Sequence, residues 1–160
     1  MIQIIDEDGV NMSPFMYDKS LFEKVQANFE ELVAHKIDIH EEYTSRVLKN
    51  EDAVIFNVDE EIRQGNNGPF VQLWEKAGFK NTYAAPLRVA NTNLGTLWLL
   101  ADQISQRLLK GICSQISIAI ANIKANEKLL HYKRQLEEEN DYLKEQIKTI
   151  YNFSEIIGYG

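Results

Sequence analysis

The sequence predicts an α+β fold: a central antiparallel β-sheet flanked by helices, continued by a long C-terminal coiled-coil helix. Three observations carry this expectation. Two nearly apolar runs, 82–89 and 94–100, are joined by Ala90-Asn91-Thr92-Asn93 and read as a β-hairpin. Strands apolar on both faces belong at the centre of a sheet covered on both sides. Beyond residue 104, apolar residues recur at helical spacing and then at intervals of seven, through Leu129, Leu136, Leu143 and Ile150.

The remaining elements follow in order. Residues 2–5 and 10–17 form a first hairpin with Asp8-Gly9 at the reversal. Ser20 stands as an N-cap with Glu23 three residues later, a capping-box spacing. Leu21, Phe22, Val25, Phe29, Leu32 and Val33 then predict one helix to about His35. Residues 37–39 are too short a run to assign, and 40–49 repeats a helical pattern. The β-branched and aromatic run 53–58 is a strand, 60–69 a loop rich in Gly and Asn, and 70–77 a short helix ending at Gly78. In the central hairpin, Asn91 and Asn93 tolerate the positive φ of a tight turn, and Gly95 suggests a bulge. From 104 to 151 the last helix would run about 70 Å at 1.5 Å per residue. Its first part carries the stripe Leu108, Ile112, Ile116, Ile120 and Ile123, expected to pack on the sheet.

From Asn126 the surface becomes charged and a heptad takes over. Leu129, Leu136, Leu143 and Ile150 are d positions, and Asn126, Lys133, Asn140 and Ile147 the matching a positions. Polar a positions with Leu at d favour two strands in register. Glu139 at g and Lys144 at the following e are placed to pair across a parallel dimer. The expected dimer interface is therefore Leu129, Leu136, Asn140, Leu143, Ile147 and Ile150. The competing reading is a solvated single helix.

Composition excludes several function classes. A formal charge of −7 argues against docking on nucleic acid. No apolar run approaches the ~20 residues of a membrane span, and no secretory signal is read, so a cytoplasmic location without membrane partners is expected. Cys113 is the single cysteine, which excludes a disulfide framework and a thiolate metal cluster. It lies beside the apolar stripe, as a buried small residue would. His35 and His40 are five apart without a further ligand, and His131 lies on the coiled coil; no metal site is expected. Ser105, Ser114 and Ser117 lack a local base, so neither a catalytic set nor a cofactor is expected.

The order of several phrases resembles the GAF family of sensory domains. They are the opening hairpin, VIFNVDE (54–60), LWEKAGFKN (73–81), APLRV (85–89), LGTLWLL (94–100) and QISIAIANIKA (115–125). The resemblance covers residues 2–130 and implies a central antiparallel sheet, with the first and last helices on one face and a ligand cavity on the other. GAF domains usually open with a helix, whereas this chain starts at a strand; either that helix has been removed or another chain covers the face. Phe153-Ser154-Glu155-Ile156-Ile157-Gly158 resembles the entry to the ATPase domain of sigma-54-dependent transcriptional activators of the formate-hydrogenlyase type. Tyr159-Gly160 departs from the Ser of that pattern. The resemblance implies a sensory domain at 1–125, a coiled-coil linker at 126–151 and the start of a truncated AAA+ domain at 152–160. It also implies a signal-sensing, non-enzymatic regulatory role. The alternatives are a ligand-free dimerisation module and the sensor segment of a histidine kinase.

The resemblance further implies a pocket lined by Phe56, Val58, Phe70, Trp74, Tyr83, Arg88 and Leu97. There Trp74 and Tyr83 would orient a small metabolite and Arg88 would pair an anionic group. The nucleotide-binding GAF pattern is matched only in part. Phe56 and Asp59-Glu60 stand one residue short of its spacing, and Lys49-Asn50 is reversed. Cys113 lies in the wrong element for the cysteine that holds a bilin chromophore in related domains.

Overall fold

A computed structural model describes residues 1–26, 28–33 and 36–157. The chain opens with β1 (Ile2–Ile5) and β2 (Asn11–Met16), an antiparallel pair. Asp8 builds the reversal: its carboxylate accepts from the backbone N–H groups of Val10 and Asn11, both at 2.9 Å, and Gly9 takes φ +70°. Next come α1 (Lys19–Lys24), α2 (Phe29–Val33), the two-residue β3 (Ile37–Asp38) and α3 (Glu42–Lys49). They are followed by β4 (Val54–Asn57), α4 (Val58–Arg63), α5 (Pro69–Ala77), β5 (Asn81–Val89), β6 (Thr92–Ala101) and α6 (Gln106–Ile157). The fold is α+β. One antiparallel six-stranded sheet in the order β3-β2-β1-β6-β5-β4 carries the helices. The chain divides into two compact units, Met1–Ile120 and Ala121–Gly160. No helix among the described residues is long and apolar enough to cross a membrane.

Side-chain direction on the central strands organises the first unit. Residues directly opposite in an antiparallel pair share a face, and successive residues alternate. Thr82, Ala84 and Pro86 therefore stand with Leu100, Trp98 and Thr96 on one face, joined by Phe56 and Val54 of β4 and by Gln3 of β1. Val47, Phe56, Val58, Val71, Trp74 and Ala84 form a buried cluster there, beneath α3, α4 and α5. Tyr83, Ala85 and Leu87, opposite Leu99, Leu97 and Gly95, point to the other face. That face carries the start of α6, which buries Leu109, Cys113, Ser117 and Ile120.

Several expectations are corrected. The single helix of 21–35 is two short helices, because Gln26 adopts φ +55° after α1; His35 lies outside the described residues. Asp18, not Ser20, caps α1 by accepting from the Ser20 N–H. The 60–69 loop contains α4, which Asn57 caps by accepting from the Glu60 N–H. Residues 37–38 are a strand. The hairpin turn takes its positive φ at Ala90, as in a type II′ reversal, and not at an Asn. The ladder slips at Leu94, so the irregularity lies beside Gly95. The sheet-packing stripe of α6 starts one residue on from the expected one and meets it at Ile120, which is buried as expected, while Ile123 is exposed. Leu108 is 57% and Ile112 38% exposed, whereas Leu109 and Cys113 are buried. Two adjacent stripes share the same i,i+4 spacing, and Ser117 hides its stripe by being polar. Its hydroxyl is satisfied in the core, donating to the Cys113 carbonyl and accepting from the Arg88 N–H. Burial pushes the Cys113 thiol up to about 11, so it stays protonated.

Candidate functional site

On the face of the sheet away from α6 lies a cavity of about 450 Å³. Its floor comes from the sheet through Gln3, Thr82, Trp98 and Leu100. Its walls come from α1, α2, α3 and α5, with Leu21, Phe22, Leu32, Tyr43, Phe70, Val71, Leu73 and Trp74. Apolar pockets of several hundred Å³ with a few polar groups are the usual form of small-molecule sites. Tyr43, Trp74 and Trp98 of its lining join Phe56, which lies behind them, in an aromatic cluster. Phe56, Trp74 and Trp98 stack on one another with ring centroids 5.9–6.1 Å apart, and Tyr43 meets Phe56 edge-on at 5.2 Å. The Arg46 guanidinium lies 5.2 Å from the Phe56 ring centroid, a cation–π contact.

Local sequence explains how these side chains are held. Pro69 at the first turn and Gly78 in the left-handed C-cap fix the length of α5, which presents Val71 and Trp74 inward. A buried carboxylate holds α3 against α4. Glu61 accepts from the Tyr43 hydroxyl and from the Asn66 side chain, each at 2.6 Å. Burial, then this hydrogen bond, raises the Tyr43 pKa well above the usual tyrosine value and keeps its proton in place. Glu61→Ala should therefore destabilise the chain by about 3 kcal/mol in urea unfolding, since two donors to a charged acceptor are left unpaired. Glu61→Gln should lose less.

Charged groups at the rim are committed to local structure. Asp18 caps α1, Asp38 accepts from the backbone and ring of His40, and Glu41 caps α3 through the Thr44 N–H and hydroxyl. Lys36 is paired with Asp6 at 3.1 Å. Thr82 is different. It is 1% exposed, lines the cavity, and its hydroxyl oxygen has no hydrogen-bond partner among the described residues.

The expected pocket residues are only partly brought together. Phe70 and Trp74 line the cavity, and Phe56 and Val58 pack in the cluster behind it. Tyr83 and Leu97 stand on the opposite face, where the Tyr83 hydroxyl accepts from the Ile104 N–H ahead of α6. Arg88 is also engaged elsewhere. It donates to the carbonyls of Leu48 at 2.6 Å and Asn50 at 3.4 Å, closing the C-terminal end of α3, and to Asn93 Oδ1 at 2.6 Å. Sequence reasoning missed Thr82, Trp98, Tyr43 and Thr44. The alternation of β5 and β6 would have put Thr82 and Trp98 on the face that Phe56 shares.

In the second unit, the heptad positions of α6 are open. Leu129 is 65% exposed, Leu136 66%, Leu143 55%, Ile147 67% and Ile150 66%, and Asn140 is exposed among them. No family model matches the chain, and no curated protein matches it.

Acid should loosen the reversals at the sheet edge and cavity rim. The backbone N–H groups of Asn11 and then Val10 bring the Asp8 carboxyl down to about 2. The side chain of Ser20 lowers Asp18, and the backbone N–H and then the ring of His40 lower Asp38. A depressed folded-state pKa contributes stability above the ordinary value of about 4, which is lost as pH falls toward the folded value. Urea midpoints should therefore decline between about pH 4 and about 2. Asp8→Asn, which keeps the acceptor but cannot titrate, should flatten part of that decline.

Proposed function

We propose that the chain is a signal-receiving regulatory module of GAF type, in which the Met1–Ile120 unit takes a small molecule and α6 pairs two copies. The observation that carries the reading is the aromatic cavity with an unpartnered hydroxyl in its floor. The family reading is supported by the antiparallel sheet that carries the last helix on one face and the cavity on the other. Neighbouring residues of β5 offer a route between the two. Thr82 is part of the cavity lining, and Tyr83 holds the approach to α6 through Ile104. A ligand acts through this route only if it binds two arrangements of the helix with different affinity. Counting in sevens back from Leu129, Leu108 falls at d and Ile112 at a. Both are exposed, but the d positions between Leu108 and Leu129 are Gln115 and Asn122, so the continuous apolar seam starts at Leu129.

The output is a downstream ATPase of the sigma-54-activator kind, by the resemblance of 153–158; Gly158 lies outside the described residues. A ligand-free dimerisation module is the second reading, favoured by the open heptad positions alone.

Both tryptophans of the chain border the cavity, so their emission reports on its occupancy directly. Toluene, an apolar probe without polar atoms, should shift that emission and raise the melting temperature of the whole chain. Val71→Trp, which fills the cavity, should abolish both effects. If toluene leaves emission and melting unchanged, the dimerisation module replaces the sensor.

A further inference from the structure

We infer that the cavity selects an uncharged, ring-bearing molecule with one hydroxyl or carbonyl group, which meets the Thr82 hydroxyl; this rests on the reading of the cavity as a ligand site. Charge comes first. Lys36, the cavity's one lysine or arginine among the described lining residues, is already paired with Asp6. Arg88, the cation of the central strands, is tied to the end of α3 on other business. The remaining ionised side chains of the lining are Asp18, Asp38 and Glu41, which are carboxylates. The Met1 α-ammonium also borders the cavity, but it donates to the Trp98 carbonyl at 2.7 Å, so an anion entering here would leave water for cations already engaged and would face three like charges. The rim carboxylates do not call for a cation, because each already accepts hydrogen bonds from its own cap or turn.

Shape comes second. Trp74, Trp98, Phe70 and Tyr43 offer faces and edges against which a ring packs better than a flexible chain. Polarity comes third. Thr82 Oγ1 is the only buried side-chain polar atom without a hydrogen-bond partner among the described residues, and it lies in the cavity floor. Buried polar groups are nearly always paired, and an orphan facing a cavity points to a partner that arrives with the ligand. Nearby, the Trp98 indole N–H donates to Thr96 Oγ1 at 2.9 Å, the Thr44 hydroxyl donates to Glu41, and Gln3 Oε1 accepts from Thr96 Oγ1 at 3.4 Å.

Four probes of one size separate these elements: toluene, p-cresol, p-toluate and 4-methylbenzylamine, titrated against the whole chain by tryptophan emission. p-Cresol should bind about threefold to tenfold more tightly than toluene, the ratio one net hydrogen bond supplies. p-Toluate and 4-methylbenzylamine should each bind at least about tenfold more weakly than p-cresol. Thr82→Val keeps the shape and removes the hydroxyl, so in that variant p-cresol should bind no more tightly than toluene. p-Toluate or the amine binding as tightly as p-cresol would overturn the selectivity for neutral molecules. A p-cresol advantage that survives Thr82→Val would overturn the role of the hydroxyl. In both cases toluene still binds and the ligand site itself stands; loss of toluene binding removes the site and this inference together.

Discussion

Replacing Leu136 and Leu143 together by Asp should convert a dimer into a monomer. Both leucines are more than half exposed within one chain, so neither contributes to the packing of its own copy. Burying each in a two-stranded seam is worth about 1.5–3 kcal/mol, and a dimer contains each of them twice, for about 6–12 kcal/mol in all. A micromolar dimer amounts to only about 8 kcal/mol, so losing this burial and forcing carboxylates together leaves no association. Sedimentation should show the wild type as a dimer and the double variant as a monomer. Tryptophan emission should be unchanged, because Trp74 and Trp98 belong to the Met1–Ile120 unit. Orientation is tested at an a position: Asn140→Cys should cross-link two copies only if the helices run parallel and in register. A wild type that sediments as a monomer at high concentration removes the paired-helix reading, as does a double variant that remains dimeric.

How much of this was legible in the sequence depended on which physical signal each element leaves. The central hairpin was plain, because Tyr83 to Leu87 and Leu97 to Leu100 are apolar on both faces and only a doubly covered sheet tolerates that. Its turn was less so: nothing in Ala90 announces a positive φ, and the two asparagines nearby are better candidates by propensity. The break at Gln26 and the helix at 58–63 were missed for related reasons. An amphipathic period survives a short interruption, and α4 is only six residues long, too brief to show a period at all. The site was half legible. Phe70 and Trp74 could be placed from α5, whose caps fix its phase. Tyr83, Arg88 and Leu97 could not, because adjacent residues on a doubly apolar strand are chemically alike and the alternation alone does not say which face holds the cavity. Arg88 shows the cost of that ambiguity: a cation in a strand suggests a ligand, whereas here it completes the end of a helix. The phase of α6 was concealed by Ser117, a polar residue whose partners come from the backbone of two other positions.

Gly95→Ala should destabilise the Met1–Ile120 unit more than any other single methyl addition at a described glycine. Gly95 sits opposite Ile4 where β1 joins β6, and its φ is not in the left-handed region, so conformational freedom is not its purpose. Its purpose is space. A Cβ built there would collide with the Gln3 carbonyl oxygen and come within 2.9 Å of the Gln3 carbon, and both are backbone atoms that no rotamer change can move. Relief requires β1 to shift away from β6, and β1 carries β2 and β3 with it. Overpacking a core costs about 1–3 kcal/mol when side chains can yield, so a backbone collision should cost at least about 3 kcal/mol. The shift would also move Gln3, which lines the cavity, so toluene binding should weaken along with the urea midpoint. Gly111→Ala is the control: a Cβ there meets nothing within 4 Å, and Ala favours a helix by about 1 kcal/mol over Gly, so that variant should be slightly more stable. Equal midpoints for Gly95→Ala and wild type would mean that β1 and β6 do not approach as closely as the described register requires.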